Sequence, residues 1–391
     1  MSFTPTSSTT LYSPISRRPS NVTLALIAGL LVACSESGAE SVEDVAESGD
    51  QSAPVSDAGG SGVILVYHHI DTTTPEMTSV TPERYREHLD HLEEHDFNVW
   101  PLPRLLAAAQ QDEPIPDKTV AITFDDAYQS VYDEVFPLMQ ERDLPFTVFV
   151  PTDPIGGLDI YLDWDELREM EAAGVTLANH GVNHAHMAHP RQGESRDEWL
   201  ARMEHEIVTA QDELEAELDD PARIFAWPYG ESSPDVEELL LDLDFLGVGQ
   251  HSGAVAAYSH NFASLPRFPM TTGFDDLESF ALKVRTRPLP VRRTEPVSGV
   301  LPPDAEYPEI RLTLDAGDYR QGQLSCYARG RALDTEIIDN DSLVVRARAT
   351  DPVPVGRTPF NCTAPSASDN RWYWFSFLWM KPQEHGRWYT W

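Results

Sequence analysis

Thr119-Val120-Ala121-Ile122-Thr123-Phe124-Asp125-Asp126 decides how this chain is read. Its first six residues are apolar or β-branched, the composition of a buried strand, and two carboxylates follow with no spacer. Adjacent carboxylates in a poorly solvated place repel each other unless a cation relieves them, so the stretch joins a structural element to a chemical one. Working outward, residues 62–67, 146–150, 175–178, 223–226 and 245–249 form apolar runs of the same kind. Helical patterning fills the segments between them, at 82–95, 128–142, 163–173, 196–218 and 234–243. Strands alternating with helices predict an α/β fold on a parallel sheet. Polar or ring-bearing residues follow the runs: Tyr67-His68-His69, Asp125-Asp126, Asn179-His180, Pro228-Tyr229-Gly230 and Gln250-His251. In parallel βα architectures ligands gather at the carboxyl ends of the strands, so these residues form one candidate site.

His180-Gly181-Val182-Asn183-His184 supplies partners for the carboxylates. Histidines four apart share one face of a helical turn, and two imidazoles with an Asp126 oxygen make a three-ligand set that leaves a position open for water. Each signal alone has a plainer reading. An Asp-Asp pair also serves as a turn or cap, and His186 and His189 make the stretch histidine-rich enough to be simply exposed.

Taken in order, Thr123-Phe124-Asp125-Asp126, the His180/His184 pair, and a strand leading into Trp227-Pro228-Tyr229-Gly230 resemble the polysaccharide deacetylases with the NodB-homology domain. The opening Val63-Ile64-Leu65-Val66-Tyr67-His68-His69-Ile70 is most similar to the branch that includes periplasmic poly-N-acetylglucosamine deacetylases. The resemblance covers residues 62–285. It implies a distorted (β/α)7 barrel and metal-dependent removal of N-acetyl groups from a glycan. It implies Asp125 as general base, Asp126, His180 and His184 as metal ligands, and the Tyr229 backbone amide as oxyanion support, with Trp227 and Pro228 beside it in the substrate-binding turn. The chemistry agrees: an amide carbonyl resists water, so a cation is needed to polarise it and to acidify water, and a carboxylate to take the proton. Zinc is the expected ion, with cobalt, nickel, manganese or iron as alternatives.

The chain departs from the family at several points. Ala127 stands where a glycine usually follows the Asp pair, and Ala226 where many members carry the arginine that orients the base. Arg267, in Leu265-Pro266-Arg267-Phe268-Pro269, is the expected substitute. The family's late motifs are not recognisable, which leaves His251, after the run 245–249, as the expected general acid. Asp163 and Glu166 read as a capping box, and His88, His91 and His95 as a solvated helix face. For His68 and His69, groove lining and a structural place at a strand end stay equally open.

Arg17 and Arg18 precede an apolar run, 22–33, too short to span a bilayer but suited to a signal peptide. It ends Leu31-Val32-Ala33-Cys34, which resembles a bacterial lipobox and implies lipidation of Cys34, with Ser35 favouring the outer membrane. Residues 1–33 are thus the expected lipoprotein signal peptide, and 34–61, poor in large apolar side chains, a flexible tether. The membrane is expected to be met through the lipid alone. Cys326 and Cys362 remain, and in an exported protein they are expected to pair, stabilising by about 4 kcal/mol in the loop-closure account.

The 391 residues carry 28 Lys+Arg against 64 Asp+Glu, a net charge of −36 that repels phosphate backbones and argues against nucleic acid as a partner. The last 81 residues are nearly neutral, so the two regions are built differently. Residues 62–287 read as the deacetylase-like domain, 288–308, with six prolines, as a linker, and 309–391 as a small β-sandwich. Trp372, Trp374, Trp379, Trp388 and Trp391 make glycan binding by that module an expectation, with core packing as its rival. The function expected is deacetylation of a poly-N-acetylglucosamine-like exopolysaccharide, with export machinery as a partner. The alternatives are a peptidoglycan or chitin-oligomer deacetylase, or an inactive glycan-binding accessory lipoprotein.

Overall fold

The computed structural model describes residues 60–256, 261–384 and 387–389. The expected signal peptide, the lipidation site Cys34, all but the end of the tether and Trp391 lie outside the described residues. Among those described, no helix is long and apolar enough to cross a membrane.

Six parallel strands lie side by side in chain order: β1 (Ser61–Tyr67), β2 (Thr119–Phe124), β3 (Thr147–Val150), β4 (Thr176–Asn179), β5 (Ala222–Ala226) and β6 (Leu246–Val248). A short seventh, β7 (Phe268–Pro269), pairs in parallel with β1. Just before it, Leu265 makes a parallel bridge to Val248 of β6, which brings the seventh strand against both ends of the row. The result is the (β/α)7 barrel the motifs imply, distorted because one seam rests on a single bridge.

Burial on both faces explains the uninterrupted apolar strands. Val63, Leu65 and Tyr67 of β1 face outward with Val120, Ile122 and Phe124 of β2, into the layer containing Tyr85 and Leu89 of helix Pro82–Glu94. Ile64, Ala121, Phe149, Ala178 and Ala226 form a second cluster inside the ring. Helix Leu102–Gln110, absent from the expected pattern, adds Leu102, Leu105 and Leu106 to that cluster. Its Leu105 sits against Gly62 at the start of β1, so the helix plugs the end of the barrel opposite the carboxyl termini of the strands.

Other expected elements fall within a few residues of those observed. Helices Trp164–Ala172 and Arg196–Glu217 open on full capping boxes, Asp163 with Glu166 and Ser195 with Glu198. The helical face expected to be solvated is not uniformly so. His88 is completely buried, bonded through Nδ1 to the Tyr67 hydroxyl at 3.0 Å and stacked on Phe280.

Residues 288–308 are not a linker. Pro288 ends a strand, Arg287–Pro288, at the edge of a five-stranded sheet, and Val291–Glu295 pairs with Glu309–Leu314 in a four-stranded one. Proline is tolerated in such edge positions, where a ladder donor is not needed, and this is why composition misled. The two sheets enclose one core, with Ile310, Leu312, Val345 and Ala347 from one facing Phe360, Tyr373 and Trp379 from the other. The expected disulfide Cys326–Cys362 joins paired strands within that core. Trp379 is buried against Phe360, and Trp374 meets Phe268 of the barrel edge-on at 5.3 Å. Those rings are occupied by packing, and Trp372 is the exposed one among the described tryptophans.

Candidate active site

Asp125 follows directly from β2, its backbone N–H still bonded to the Tyr67 carbonyl at 2.9 Å, so its side chain is aimed by the sheet. Arg267, the residue just before β7, closes on it in a two-pronged pair, Nη1 to Oδ1 and Nη2 to Oδ2 at 2.7 Å each. Both residues are 0% exposed. The guanidinium is itself fixed, with Nε donating to the Gly249 carbonyl at 2.7 Å and Nη1 to Thr123 Oγ1 at 3.1 Å. Burial alone would raise the Asp125 pKa; the Arg267 charge, the His180 charge and the Arg267 hydrogen bonds outweigh it and hold the carboxyl below its usual range. Asp125 is therefore an ionised, buried and oriented carboxylate. Arg267 thus stands in the place the resemblance leaves open at Ala226.

Asp126 turns the other way, in the left-handed region at φ 73°, and Ala127 follows at φ 51°. His180 and His184 also converge here, but not from a helix. Residues 180–184 form a loop in which Gly181, at φ 80°, and His184, at φ 54°, break helical geometry. Buried Glu206 holds the loop by accepting the Val182 and Asn183 N–H groups and the Asn183 side-chain amide. His180 Nε2 lies 3.4 Å and His184 Nε2 3.3 Å from Asp126 Oδ1.

Those separations fit a divalent cation. Two ligands of a tetrahedral ion with bonds of about 2.0–2.1 Å stand about 3.4 Å apart. His180 Nδ1 is committed to the Ala226 carbonyl at 2.8 Å, which directs Nε2 toward Asp126, where it is buried with no hydrogen-bond partner. Burial lowers the His184 pKa to about 4, despite the nearby Asp126 charge, so its imidazole is neutral and able to ligate. Asp126, His180 and His184 are the residues that would hold the ion.

Tyr229 stands beside this cluster at φ 60°, its ring 4.4 Å from that of His184. Gly230, at φ 69°, has no room for a Cβ, which would fall 2.6 Å from Gln250. Trp227 does not line the site. Its indole is 0% exposed and donates to the Ala263 carbonyl, because the strand that delivers the turn buries that face against helix Arg196–Glu217. Pro228 is buried likewise.

His251 is also elsewhere. Among the described residues, no hydrogen bond or ion pair joins it to Asp125, Asp126, His180 or His184; its ring turns back over Gly249 and lines a cavity of about 310 Å³ between barrel and sandwich. Burial, then the Arg267 charge, lowers its pKa to about 4. Two residues to which the sequence assigned no catalytic role, His68, left open between groove lining and a structural place, and Gln250, lie beside the base. His68 Nε2 lies 4.0 Å from Asp125 Oδ2, with Nδ1 buried and unpartnered, and Gln250 Nε2 donates to the same oxygen at 3.1 Å. Their place within two residues of the ends of β1 and β6 was the available signal.

A parallel barrel with acidic and histidine side chains gathered at the carboxyl ends of its strands, able to hold a metal ion, has the layout of a hydrolase-like site, and comparison with known proteins narrows it. Residues 112–248 match the family model described as polysaccharide deacetylase, the family whose order of motifs the sequence resembles. The chain is 25% identical over 215 residues to the poly-beta-1,6-N-acetyl-D-glucosamine N-deacetylase of Escherichia coli (strain K12), covering 45% of this chain and 32% of that relative. It is also 25% identical over 160 residues to the protein of the same name from Staphylococcus epidermidis, covering 39% of this chain and 54% of that one. The chain thus spans about a third to a half of the length of these relatives. Among solved structures, Streptococcus pyogenes deacetylase PplD in complex with acetate matches with a TM-score of 0.52 at 22% identity, over 59% of this chain and 99% of that one, a likeness of fold.

Proposed function

We propose that the chain is a metal-dependent polysaccharide N-deacetylase acting on a poly-N-acetylglucosamine-like exopolysaccharide. The observation that carries the reading is a buried, ionised Asp125 locked by Arg267 next to a separate Asp126/His180/His184 ligand set. The relatives' shared name favours the β-1,6-linked polymer over peptidoglycan or chitin oligomers.

When bound, the ion would polarise the acetamide carbonyl and lower the pKa of water, with zinc the favoured metal. Asp125 takes the proton of the attacking water, and Arg267 and Gln250 keep its oxygens aligned for that task. The Tyr229 N–H supports the negative charge that gathers on the carbonyl oxygen. His68, not His251, is the imidazole near enough to protonate the departing amine.

Export by the signal peptide, anchoring through Cys34 at the outer membrane and work beside polysaccharide export machinery belong to the same proposal, supported by the sequence of the first 34 residues. Acetate release across N-acetylated glycans, with and without chelator, tests the activity. Release from poly-N-acetylglucosamine that stops with chelator and returns with zinc is expected. No release from any of the glycans would refute it. Cys34→Ala should leave the protein unlipidated, either soluble in the periplasm or with its signal peptide uncleaved.

A further inference from the structure

The Tyr229 carbonyl is held by a residue from outside the barrel. It accepts a hydrogen bond from the guanidinium of Arg357, on strand Gly356–Pro365 of the C-terminal sandwich. Arg357 Nε also lies 3.7 Å from Oε1 of Glu231, two residues beyond Tyr229. Glu231 is 0% exposed and accepts the Tyr389 hydroxyl on Oε1 and pairs with His186 Nδ1 on Oε2, each at 2.8 Å. The His186 ring lies flat against the Tyr229 ring, centroids 4.1 Å apart. Trp388 covers the neighbouring His189 in the same way, at 3.4 Å.

A tyrosine in the left-handed region is strained and persists only where its surroundings hold it. Here the carbonyl and the ring are both gripped. The turn's own bonds run from Gly230 N–H to Trp227 and from Glu231 N–H to Pro228, and the Tyr229 N–H takes no part in either. With carbonyl and ring fixed, the direction of that N–H is fixed as well.

We propose that Arg357 is a positioning residue for deacetylation: the C-terminal sandwich reaches into the barrel and sets the Tyr229 amide, so that the active site is completed across two domains. The inference rests on the deacetylase reading of the barrel. The group His186, His189 and Glu231 also has the makings of a metal cluster, with its ligand atoms within 4.8 Å of one another. The 2.8 Å between His186 and Glu231 is a hydrogen bond, however, and both Glu231 oxygens are engaged.

The test compares the full chain with Arg357→Ala and Arg357→Lys. Arg357→Ala should lower kcat for acetate release about 10- to 100-fold, with KM within about threefold and zinc content and Tm at wild-type values. Arg357→Lys, which keeps a donor for the carbonyl, should recover part of the loss. Amide exchange over residues 227–232 should quicken in Arg357→Ala. Wild-type kcat in that variant, or a loss accounted for by a fall in Tm, would overturn the proposal. If the wild-type chain releases no acetate, the deacetylase reading fails by itself, and unchanged exchange at 227–232 would then show that Arg357 does not set the turn. A second equivalent of zinc per chain, lost in His189→Ala, would overturn the hydrogen-bonded reading of the Glu231 group.

Discussion

Two groups of histidines with one carboxylate lie next to each other at the mouth of the barrel, and their chemistry differs. In Asp126/His180/His184 the nitrogen-to-oxygen distances are 3.3 and 3.4 Å, and His180 Nε2 has no hydrogen-bond partner. In the group around Glu231, His186 sits at 2.8 Å from the carboxylate, whose other oxygen holds Tyr389. Composition alone would rank the two as equal metal sites. Each group holds a buried imidazole nitrogen without a hydrogen-bond partner, His180 Nε2 and His189 Nε2, so what separates them is the carboxylate: Glu231 has both oxygens in hydrogen bonds and gains little from an ion, whereas Asp126 Oδ1 faces two imidazole nitrogens at 3.3 and 3.4 Å.

The contrast breaks most sharply at the first carboxylate. Asp126→Asn should cost activity on the order of 10³-fold or more and empty the site, whereas Glu231→Gln should retain its full complement of metal by elemental analysis. Metal lost equally from both variants would erase the distinction. Asp125→Asn should keep the metal yet slow turnover about 10²–10⁴-fold, separating proton transfer from ligation within one Asp-Asp pair.

Arg267→Gln follows. Leaving a buried carboxylate without its cation should cost about 3–5 kcal/mol in denaturant unfolding. The sign for catalysis follows from the same pair. The folded-state pKa of Asp125 is depressed, so the base is active above that pKa and is lost as acid protonates it; without Arg267 the upward push of burial is opposed less, and the acid limb of the rate profile should move to higher pH. A limb that stays in place would detach the arginine from the base. Smallest should be Ala127→Gly, in which relief of a left-handed alanine offsets a lost buried methyl, leaving stability within about 1 kcal/mol of wild type.

The barrel was legible because its strands are buried on both faces, which leaves long apolar runs, and because chemistry interrupts them at one end. The candidate ligands Asp126, His180 and His184, and Asp125, could be read from local motifs. Arg267 could be singled out only as a substitute, since its meeting with a carboxylate 142 positions away depends on which strands are neighbours. The position of the His251 ring was not legible, because it folds back over Gly249, a matter of rotamer and packing. Strand Gly356–Pro365 was hidden by Pro359 within it, and with it went any sign of Arg357. Helix Leu102–Gln110 carries no polar signal and is defined by the barrel end it fills.

The pairing of β1 with β7 has a kinetic consequence. Residues 61–67 find their seventh neighbour only after some two hundred further residues have been placed, and such distant pairings form slowly. Arg267 is the residue immediately before that strand. The guanidinium that keeps Asp125 charged is therefore delivered with the ring-closing contact, and a chain halted before that contact has a sheet and ligands but no oriented base. Recovery of turnover during refolding should consequently track the last pairing and lag behind the growth of secondary structure, so that catalytic competence is coupled to completion of the barrel.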